Sequence, residues 1–316
     1  MTVTRRRALA LGAGATASAL LGGCATPAAV TALQTDWPPG LPPRVMLDGV
    51  PFFPQDDLLC GPATLATVAQ AAGRRVTPAE LTPQVYLPGR QGSLQTEMLA
   101  AARRQGLVAY PIAPRLPVLL AELADGAPVL VLQNLALPIA PQWHYAVAVG
   151  FDRDRAELYL HSGTTPRLPT ALRTFEFTWA RAEHWAVRVT APSRVPVTAE
   201  ADGWARAVAA LERSDVAAAE VAYRSGLARW PTHRFLLLGA GNTAHAQGRL
   251  TQAADAYERT VIQHPDFADA WHNLAQTRLD LRQRDAARRA AARAVALGGP
   301  RQADYRALLA RAEAAR

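Results

Sequence analysis

The sequence predicts two regions of different class: an α+β domain with a mostly antiparallel sheet over residues 48–190, and an all-α array of repeats over residues 203–316. Two observations support this prediction. In the first region, short apolar or alternating runs are bounded by glycine, proline and charged residues, which is typical of strands. After residue 200 the composition becomes rich in Ala, Arg and Leu, and the sequence repeats itself.

In the first region, the sequence predicts helices over residues 60–72, 93–105 and 116–124. Four runs predict strands: APVLVLQNL, YAVAVGF, AELYLHS and HWAVRVT, with FDRDRAE as the turn of a hairpin. Residues 25–47 contain WPPGLPP and predict a Pro-rich tether. Residues 191–202 predict a linker to the second region.

The second region resembles tetratricopeptide repeats (TPRs), which have a period of about 34 residues. Small residues recur at this period, and aromatic or small residues follow four positions later. The two sets are Ala219, Ala253 and Ala287, and Tyr223, Tyr257 and Ala291. Pro231 and Pro265 close the second helix of a unit, because proline cannot continue a helix. Trp204 lies one place out of register, so the first unit fits only if one residue is missing. A capping helix follows the repeats, and a generic Ala-rich helical bundle is the alternative.

The N-terminus, MTVTRRRALALGAGATASALLGGCATP, has the order of a bacterial secretory signal. Its apolar run is too short to cross a bilayer. The LGGC that follows resembles a lipobox, so residues 1–24 are predicted to be a lipoprotein signal peptide, with Cys24 as the lipidated first residue. An ordinary cleaved signal is the alternative, and the sequence leaves Sec and twin-arginine export open. The predicted location is the periplasmic side of a bacterial membrane, and Ala25 favours the outer membrane.

The formal charge of +8 does not indicate nucleic-acid binding. Residues 25–200 contain 14 Arg and 14 acidic residues, and all 34 basic residues of the chain are Arg. No basic stripe is interleaved with aromatic residues, as a nucleic-acid site would require. The sequence also contains no HExxH, no CxxC and no cofactor loop, so it predicts no metal and no cofactor.

Cys60 lies where the first predicted helix begins. If Cys24 carries lipid, Cys60 has no cysteine left to pair with. A thiol is a useful nucleophile only as the thiolate, and a helix N-terminus or a nearby imidazolium lowers its pKa. Pro62 is compatible with a first helical turn, which places Cys60 at the N-terminus. The amides of this turn and the side chain of Gln55 are candidate donors to an oxyanion beside the sulfur.

A histidine has to supply the base for such a thiol. Four of the seven histidines lie in the repeats, namely His233, His245, His264 and His272. His184 precedes a strand in an aromatic context, which favours a structural role. His144 and His161 remain, and His144 opens an alternating strand, where an imidazole can be held over a helix end. A packed core histidine is the alternative interpretation of His144.

The pattern Gln-x-x-x-x-Cys-Gly-Pro-Ala, followed 84 residues after the cysteine by HYAVAVGFD, resembles the C39-like cysteine peptidases over about residues 45–190. The resemblance implies a papain-like fold, in which an antiparallel sheet packs on the Cys-bearing helix. It implies Gln55 as the oxyanion donor, Cys60 as the nucleophile and His144 as the general acid and base. With the lipobox and the TPRs, the chain resembles a family of bacterial lipoprotein cysteine peptidases.

One position departs from the family pattern. The family usually has Asp at the end of the strand that follows the histidine, whereas ELYLHSGTTP places Ser162 there, with His161 beside it. A hydroxyl can orient the imidazole but supplies no charge. Asn serves this role in papain-like proteases, so a neutral partner is chemically admissible. Asp152 and Asp154 lie in the hairpin turn, too far along the strand.

The leading hypothesis is thiol-dependent hydrolysis of a peptide or protein substrate by a membrane-anchored enzyme. A cell-wall amidase or endopeptidase is a second enzymatic reading, although those papain-like enzymes typically begin their helix with Asp-Cys-Ser-Gly. A catalytically dead scaffold is the non-enzymatic alternative, and the missing Asp favours it. TPRs build a concave surface for peptides or helices, so a protein partner is predicted under every hypothesis.

Overall fold

A computed structural model of the chain describes residues 26–54 and 59–314. The predicted signal peptide with Cys24, and the predicted oxyanion donor Gln55, lie outside the described residues. Among the helices that the structure describes, none has the length and apolar character needed to cross a membrane.

The first domain combines six helices with nine strands among the described residues. The helices are α1 (Ala28–Thr35), α2 (Cys60–Ala71), α3 (Pro78–Val85), α4 (Gln95–Arg104), α5 (Leu116–Ala124) and α6 (Leu172–Ala180). The strands are β1 (Arg44–Met46), β2 (Tyr86–Leu87), β3 (Gly92–Ser93), β4 (Val108–Pro111), β5 (Val129–Asn134), β6 (Trp143–Asp152), β7 (Glu157–Ser162), β8 (Thr165–Ala171) and β9 (Ala186–Thr190).

Seven of these strands form one antiparallel sheet in the order β4-β9-β5-β6-β7-β8, and β1 pairs with the far end of β6. The remaining strands, β2 and β3, form a separate hairpin. Helix α2 packs on β6, β5 and β9 of the large sheet. The predicted arrangement, an antiparallel sheet packed on the Cys-bearing helix, is confirmed.

The central strand β5 separates two apolar layers. Leu130 and Leu132 belong to the layer that contains α2, α3 and α4, whereas Val129 and Val131 belong to the layer with α1, α5 and α6. Successive side chains of a strand point to opposite faces, so a strand covered on both sides is apolar throughout. This explains the uninterrupted run VLVL in the sequence.

The segment predicted to be a tether is packed on the domain in its described part. Helix α1 buries Val30 and Leu33, three residues apart, in the layer with α5 and α6. Trp37 then packs on Phe151, with ring centroids 5.8 Å apart, before β1 joins the sheet. The structure differs from the prediction because these few apolar side chains pack on the surface of the domain. The Pro-rich composition of the segment does not indicate this packing.

The segment 191–202, predicted to be a linker, also packs on the first domain. Thr198 donates two hydrogen bonds to Glu122 Oε1, from its backbone N–H at 2.9 Å and from its hydroxyl at 2.5 Å. Helix α7 (Ala201–Glu212) follows, and its Trp204 packs against Tyr110 of β4, with ring centroids 6.4 Å apart. One apolar cluster includes residues of both regions. The sheet domain and the repeats therefore share a core.

After α7, six further helices follow in the part of the second region that the structure describes. They are α8 (Val216–Arg229), α9 (Arg234–Ala246), α10 (Leu250–Gln263), α11 (Ala268–Asp280), α12 (Arg284–Leu297) and α13 (Gln302–Ala314). The first helix of the first pair has 12 residues, whereas those of the next two pairs have 13. This one-residue difference corresponds to the register shift of Trp204. The repeated small residues Ala219, Ala253 and Ala287 are fully buried between helices.

Candidate active site

Cys60 is the first residue of α2 and lines a cleft of about 470 Å³. Its side chain is mostly buried, with 7% of the residue exposed. Leu59, the residue before it, provides no side-chain cap. The first N–H groups of a helix have no acceptor within the helix and carry partial positive charge. This helix end can therefore stabilise negative charge on the sulfur or on an oxygen beside it.

Three parts of the fold form the remaining walls of the cleft. They are the β2–β3 hairpin with the start of α4, the adjoining ends of β5 and β6, and the turn after α6. The residues that line the cleft from these parts are Arg90, Gln91, Gly92, Ser93, Leu94, Gln95, Leu132, Trp143, Tyr145, Arg181, Ala182 and Glu183. Trp143 and Tyr145 are the neighbours of His144 on β6, so the cleft joins the start of α2 to the start of that strand.

Ser93 of the hairpin lies against the first turn of α2. A Cβ atom on Gly61 would lie 2.3 Å from Ser93 Oγ and 2.6 Å from Ser93 Cβ, so only glycine allows this approach. Tyr145 Oη donates to the carbonyl of Ser93 at 3.2 Å. Burial, with the nearby Cys60 as the second cause, raises the pKa of Tyr145 above its ordinary value. Tyr145 is therefore a neutral donor that fixes the hairpin beside Cys60.

Gly61→Ala should move the hairpin away from Cys60 and destabilise the domain. Overpacking of this kind costs about 1–3 kcal/mol in the free energy of unfolding. Urea unfolding and the alkylation rate of Cys60 would measure the two effects. Gly89→Ala is the matched control, because a Cβ atom there meets nothing within 4 Å. If the two variants have the same stability and the same alkylation rate, the close approach of Ser93 to Gly61 does not constrain the site.

His144 lies at the start of β6, paired in register with Gln133 of β5. Its Nε2 is 2.8 Å from Ser162 Oγ, at the end of β7. The structure thus brings together the predicted general base and the residue at the position where the family usually has Asp. Cys60 enters the same region from α2, which packs on β6. The hydrogen bond engages Nε2, and Nδ1 is the ring nitrogen through which His144 would exchange a proton with a thiol.

His161, the other candidate base, has both ring nitrogens engaged. Nδ1 accepts the backbone N–H of Arg167 at 3.1 Å, so Nε2 carries the proton and donates to the carbonyl of Val50 at 3.3 Å. The residue is 3% exposed, and its ring packs edge to face with the ring of Phe52, with centroids 5.1 Å apart. These contacts assign His161 to the framework of the site and leave His144 as the candidate base.

His184 also has a structural environment. Its Nε2 is 2.9 Å from Glu176 Oε1, and its ring contacts the Trp179 ring edge to face, at 4.7 Å between centroids. The contacts agree with the structural role that the sequence analysis favoured.

The free energy of unfolding should decrease as the pH is lowered, and His161 and His272 should cause part of this decrease. Burial is the largest cause that lowers the pKa of each imidazole below its ordinary value, and Arg167 and Arg301 respectively act in the same direction. The unfolded chain therefore binds more protons. The stabilisation is complete above the unfolded pKa of about 6.5 and is lost as pH falls through the lower folded values.

Urea unfolding of the wild type and of His161→Asn/His272→Asn between about pH 7.5 and 5 would measure this dependence. We expect the wild type to lose more stability than the double variant, by at most about 1.4 kcal/mol per pH unit for each histidine. Equal losses in the two proteins would contradict the assignment.

Sequence reasoning did not identify Gly61, Ser93 or Tyr145 as site residues. Gly61 follows Cys60 directly, and Tyr145 follows His144, so their proximity to the motif residues was an available signal. Ser93 lies 33 residues after Cys60 and carries no signal that would place it against the helix.

Comparisons with known proteins agree with this architecture. Residues 47–187 match the model of the Peptidase_C39 like family, and residues 204–268 and 238–278 match that of the tetratricopeptide repeat. No curated protein sequence matches the chain. The matches confirm the two resemblances stated from the sequence motifs.

Three solved structures are similar to parts of the chain. A C39-like peptidase from Bacillus anthracis has 17% identity over 46% of this chain and 97% of its own, with a TM-score of 0.39. A double glycine motif protease from an AMS/PCAT transporter, in complex with the leader peptide, has 21% identity over 46% and 96%, with a TM-score of 0.34. The Sgt2 TPR domain from Aspergillus fumigatus has 21% identity over 37% and 78%, with a TM-score of 0.34.

Proposed function

We propose that this chain, which joins a domain of the Peptidase_C39 like family to tetratricopeptide repeats, hydrolyses peptide bonds with Cys60 as the nucleophile. The proposal depends on how Cys60, His144 and Ser162 are arranged. Cys60, at the start of a helix, lines a cleft with the residues on either side of His144, whose imidazole is bonded to Ser162. A helix N-terminus, a thiol and an oriented imidazole are the parts that a cysteine peptidase requires.

In the proposed reaction, His144 Nδ1 takes the proton of Cys60 and the thiolate attacks the carbonyl carbon of the scissile bond. The first-turn N–H groups of α2 and the amide of Gln55 stabilise the oxyanion. The tetrahedral intermediate collapses as His144 gives its proton to the leaving amine, and a thioester remains on Cys60. Water, deprotonated by His144, then attacks the thioester, and the released thiolate and the imidazolium regenerate the site.

Ser162 should orient His144 without adding charge. Ser162→Ala should lower kcat by about fivefold, since a neutral hydrogen bond contributes about 1 kcal/mol and 1.4 kcal/mol is a factor of ten. Ser162→Asp should restore or exceed the wild-type rate and shift the onset of thiolate reactivity to lower pH, because a carboxylate favours the imidazolium. Steady-state kinetics and the pH profile of Cys60 alkylation measure both effects. A Ser162→Ala variant with wild-type kinetics would contradict this role.

The substrate that we propose is a segment of a peptide or protein bound in the cleft beside Cys60. The repeats supply a separate surface for a protein partner or for the substrate itself. Phe235 of α9 and Ile262 of α10 are large apolar side chains exposed on this array. Large apolar side chains that are exposed together on a surface are typical of sites that bind protein partners.

The proposed location is the periplasmic side of a bacterial membrane, with a lipid on Cys24 as the anchor and the outer membrane favoured. The order of the N-terminal residues, from RRR through the short apolar run to LGGC, supports the proposal. Mass spectrometry of the chain from membranes, with Cys24→Ala as the comparison, would test it. An unmodified Cys24 in the membrane fraction would exclude the anchor.

The test of the peptidase uses the chain without residues 1–24, in which Cys60 is the only cysteine. Alkylation of Cys60 is followed from about pH 4 to 10 in the wild type and in His144→Ala, and a peptide library is screened for cleavage by both. We expect a thiolate reactive near pH 6 in the wild type, moved towards 8.5 in the variant, the ordinary value of a thiol. A slow reaction that titrates near 8.5 in both proteins would exclude the peptidase.

A catalytically inactive scaffold is the second candidate, favoured by Ser162 at the position where the family usually has Asp. In this case the domain keeps the fold, and the repeats bind the partner without hydrolysis. The experiment separates the candidates, because a scaffold gives no thiolate near pH 6 and no cleavage in the peptide library.

A further inference from the structure

The hairpin that carries Ser162 contains a β-bulge next to the site. In the β7–β8 pair, Leu160 is opposite Leu168 and Ser162 is opposite Thr165. One residue of β7, His161, therefore faces two residues of β8, Pro166 and Arg167. A bulge bends the strand pair and changes the direction of neighbouring side chains, and bulges occur often beside active sites.

The bulge leaves backbone groups of β8 without the regular ladder bonds. Pro166 has no N–H to donate. Arg167 has a φ of 52°, in the left-handed region that a residue with a Cβ atom rarely adopts, so its conformation needs support from its surroundings. Its N–H is bonded by the side chain of His161, through Nδ1 at 3.1 Å, instead of by a backbone carbonyl.

Further contacts hold the same imidazole and the same arginine from the opposite side. His161 Nε2 donates to the carbonyl of Val50 at 3.3 Å, and Phe52 contacts the ring. The guanidinium of Arg167 lies 3.0 Å from Asp48 Oδ1. The segment from Asp48 to Phe52 thus contacts both residues of the bulge, and His161 bonds this segment as well as the backbone of Arg167.

We propose that His161 is a positioning residue for the hydrolytic site: by holding Arg167 in the bulge, it sets the end of β7 so that Ser162 Oγ reaches His144 Nε2. Ser162 follows His161 in the chain and begins the turn that leads back to Thr165. Any change in the bulge is therefore transmitted to Ser162 within one residue. The inference rests on the proposed function, because it assigns His161 a part in orienting the proposed base.

Three substitutions separate this role from simple packing. His161→Asn keeps an acceptor near the position of Nδ1, because the amide oxygen of Asn occupies a similar place, whereas His161→Leu fills the volume and provides no acceptor. Tyr159→Phe is the matched control, since Tyr159 lies two residues away on the same strand and its hydroxyl is bonded to Glu157, not to the bulge. Ser162→Ala and His161→Leu/Ser162→Ala complete a double-mutant cycle.

Two measurements are made on each variant of the chain without residues 1–24: kcat for a cleaved peptide, and the titration of the His144 imidazole by NMR. We expect His161→Leu to lower kcat about fivefold, as Ser162→Ala does, and to shift the His144 titration in the same way. The double variant should equal either single variant, and His161→Asn and Tyr159→Phe should stay within about twofold of wild type.

An unchanged His144 titration in His161→Leu would overturn the proposal, and so would losses that multiply in the double variant. If His161→Leu does not fold, His161→Asn provides the test. This variant keeps the acceptor for Arg167, so a shift of the His144 titration in His161→Asn, without a shift in Tyr159→Phe, would contradict the proposal. The NMR readout needs no turnover. The wild type and all variants could fail to hydrolyse peptides while the His144 titration still depends on His161 as expected. This result would reject the proposed function and retain the positioning role of His161.

Discussion

Cys60→Ala is expected to reduce peptide hydrolysis by about a thousandfold or more, because removal of a nucleophile eliminates the covalent route altogether. The change should leave the fold intact. Cys60 is a small side chain at the start of α2, and its replacement should alter the free energy of unfolding by about 1 kcal/mol or less. The measurement is kcat/KM on the peptide that the wild type cleaves best, with urea unfolding on the same samples.

Ala71→Ser is the control for Cys60→Ala, because Ala71 is an exposed residue at the other end of the same helix. It should retain the wild-type kcat/KM. Hydrolysis by Cys60→Ala at a rate within tenfold of wild type would assign the nucleophile to another group and remove the main argument for the peptidase.

Trp204→Ala is expected to destabilise the first domain and the repeats together, by about 3–5 kcal/mol. Trp204 is fully buried, and its Nε1 donates to the carbonyl of Ala222 at 3.0 Å. Its ring packs against Tyr110 of the large sheet, so the substitution opens a cavity in the core that the two domains share. A cavity of this size costs the transfer energy of the ring as well as the lost packing contacts.

Urea unfolding of Trp204→Ala would measure the effect on each domain. It is followed by circular dichroism of the helical signal, to which the repeats contribute most, and by alkylation of Cys60 in the first domain. Both probes should report the same lowered midpoint. Trp271→Ala is the control, because Trp271 is half-buried in a separate cluster farther along the repeats. A midpoint for Cys60 alkylation that stays at the wild-type value, while the helical signal is lost earlier, would show that the domains do not share their stability.

The strands at the centre of the sheet were predictable because both of their faces are covered. The runs that predict β5, β6, β7 and β9 are apolar or alternating for this reason. Strand β8 was not predicted, since all but one of its residues are exposed and it contains Pro166 and Pro169, which suit an edge. Helix α3 was missed because Pro83 lies inside it, although Thr77 and Glu80 form the capping box that marks its start.

Those parts of the candidate site that depend on the neighbouring residues in the sequence were predictable. Cys60 at a helix start and His144 at a strand start follow from the chain around each residue. The choice between His144 and His161 was open, because the distinction depends on Val50 and Arg167, which meet His161 only in the folded chain. The approach of Ser93 to Gly61 likewise joins two distant segments, and periodicity contains no information about such a contact.

With the lipid on Cys24 that we propose, helix α1 would limit how far the first domain can move from a membrane. It begins at Ala28, so three residues separate it from Cys24. Three extended residues span about 11 Å, which is short beside the hydrocarbon core of a bilayer, about 30 Å thick. With the proposed lipid on Cys24, the domain would remain against the bilayer rather than extend from it on a long arm. Peptide bonds in proteins that are themselves held at that surface would then meet the cleft far more often than those of freely diffusing proteins.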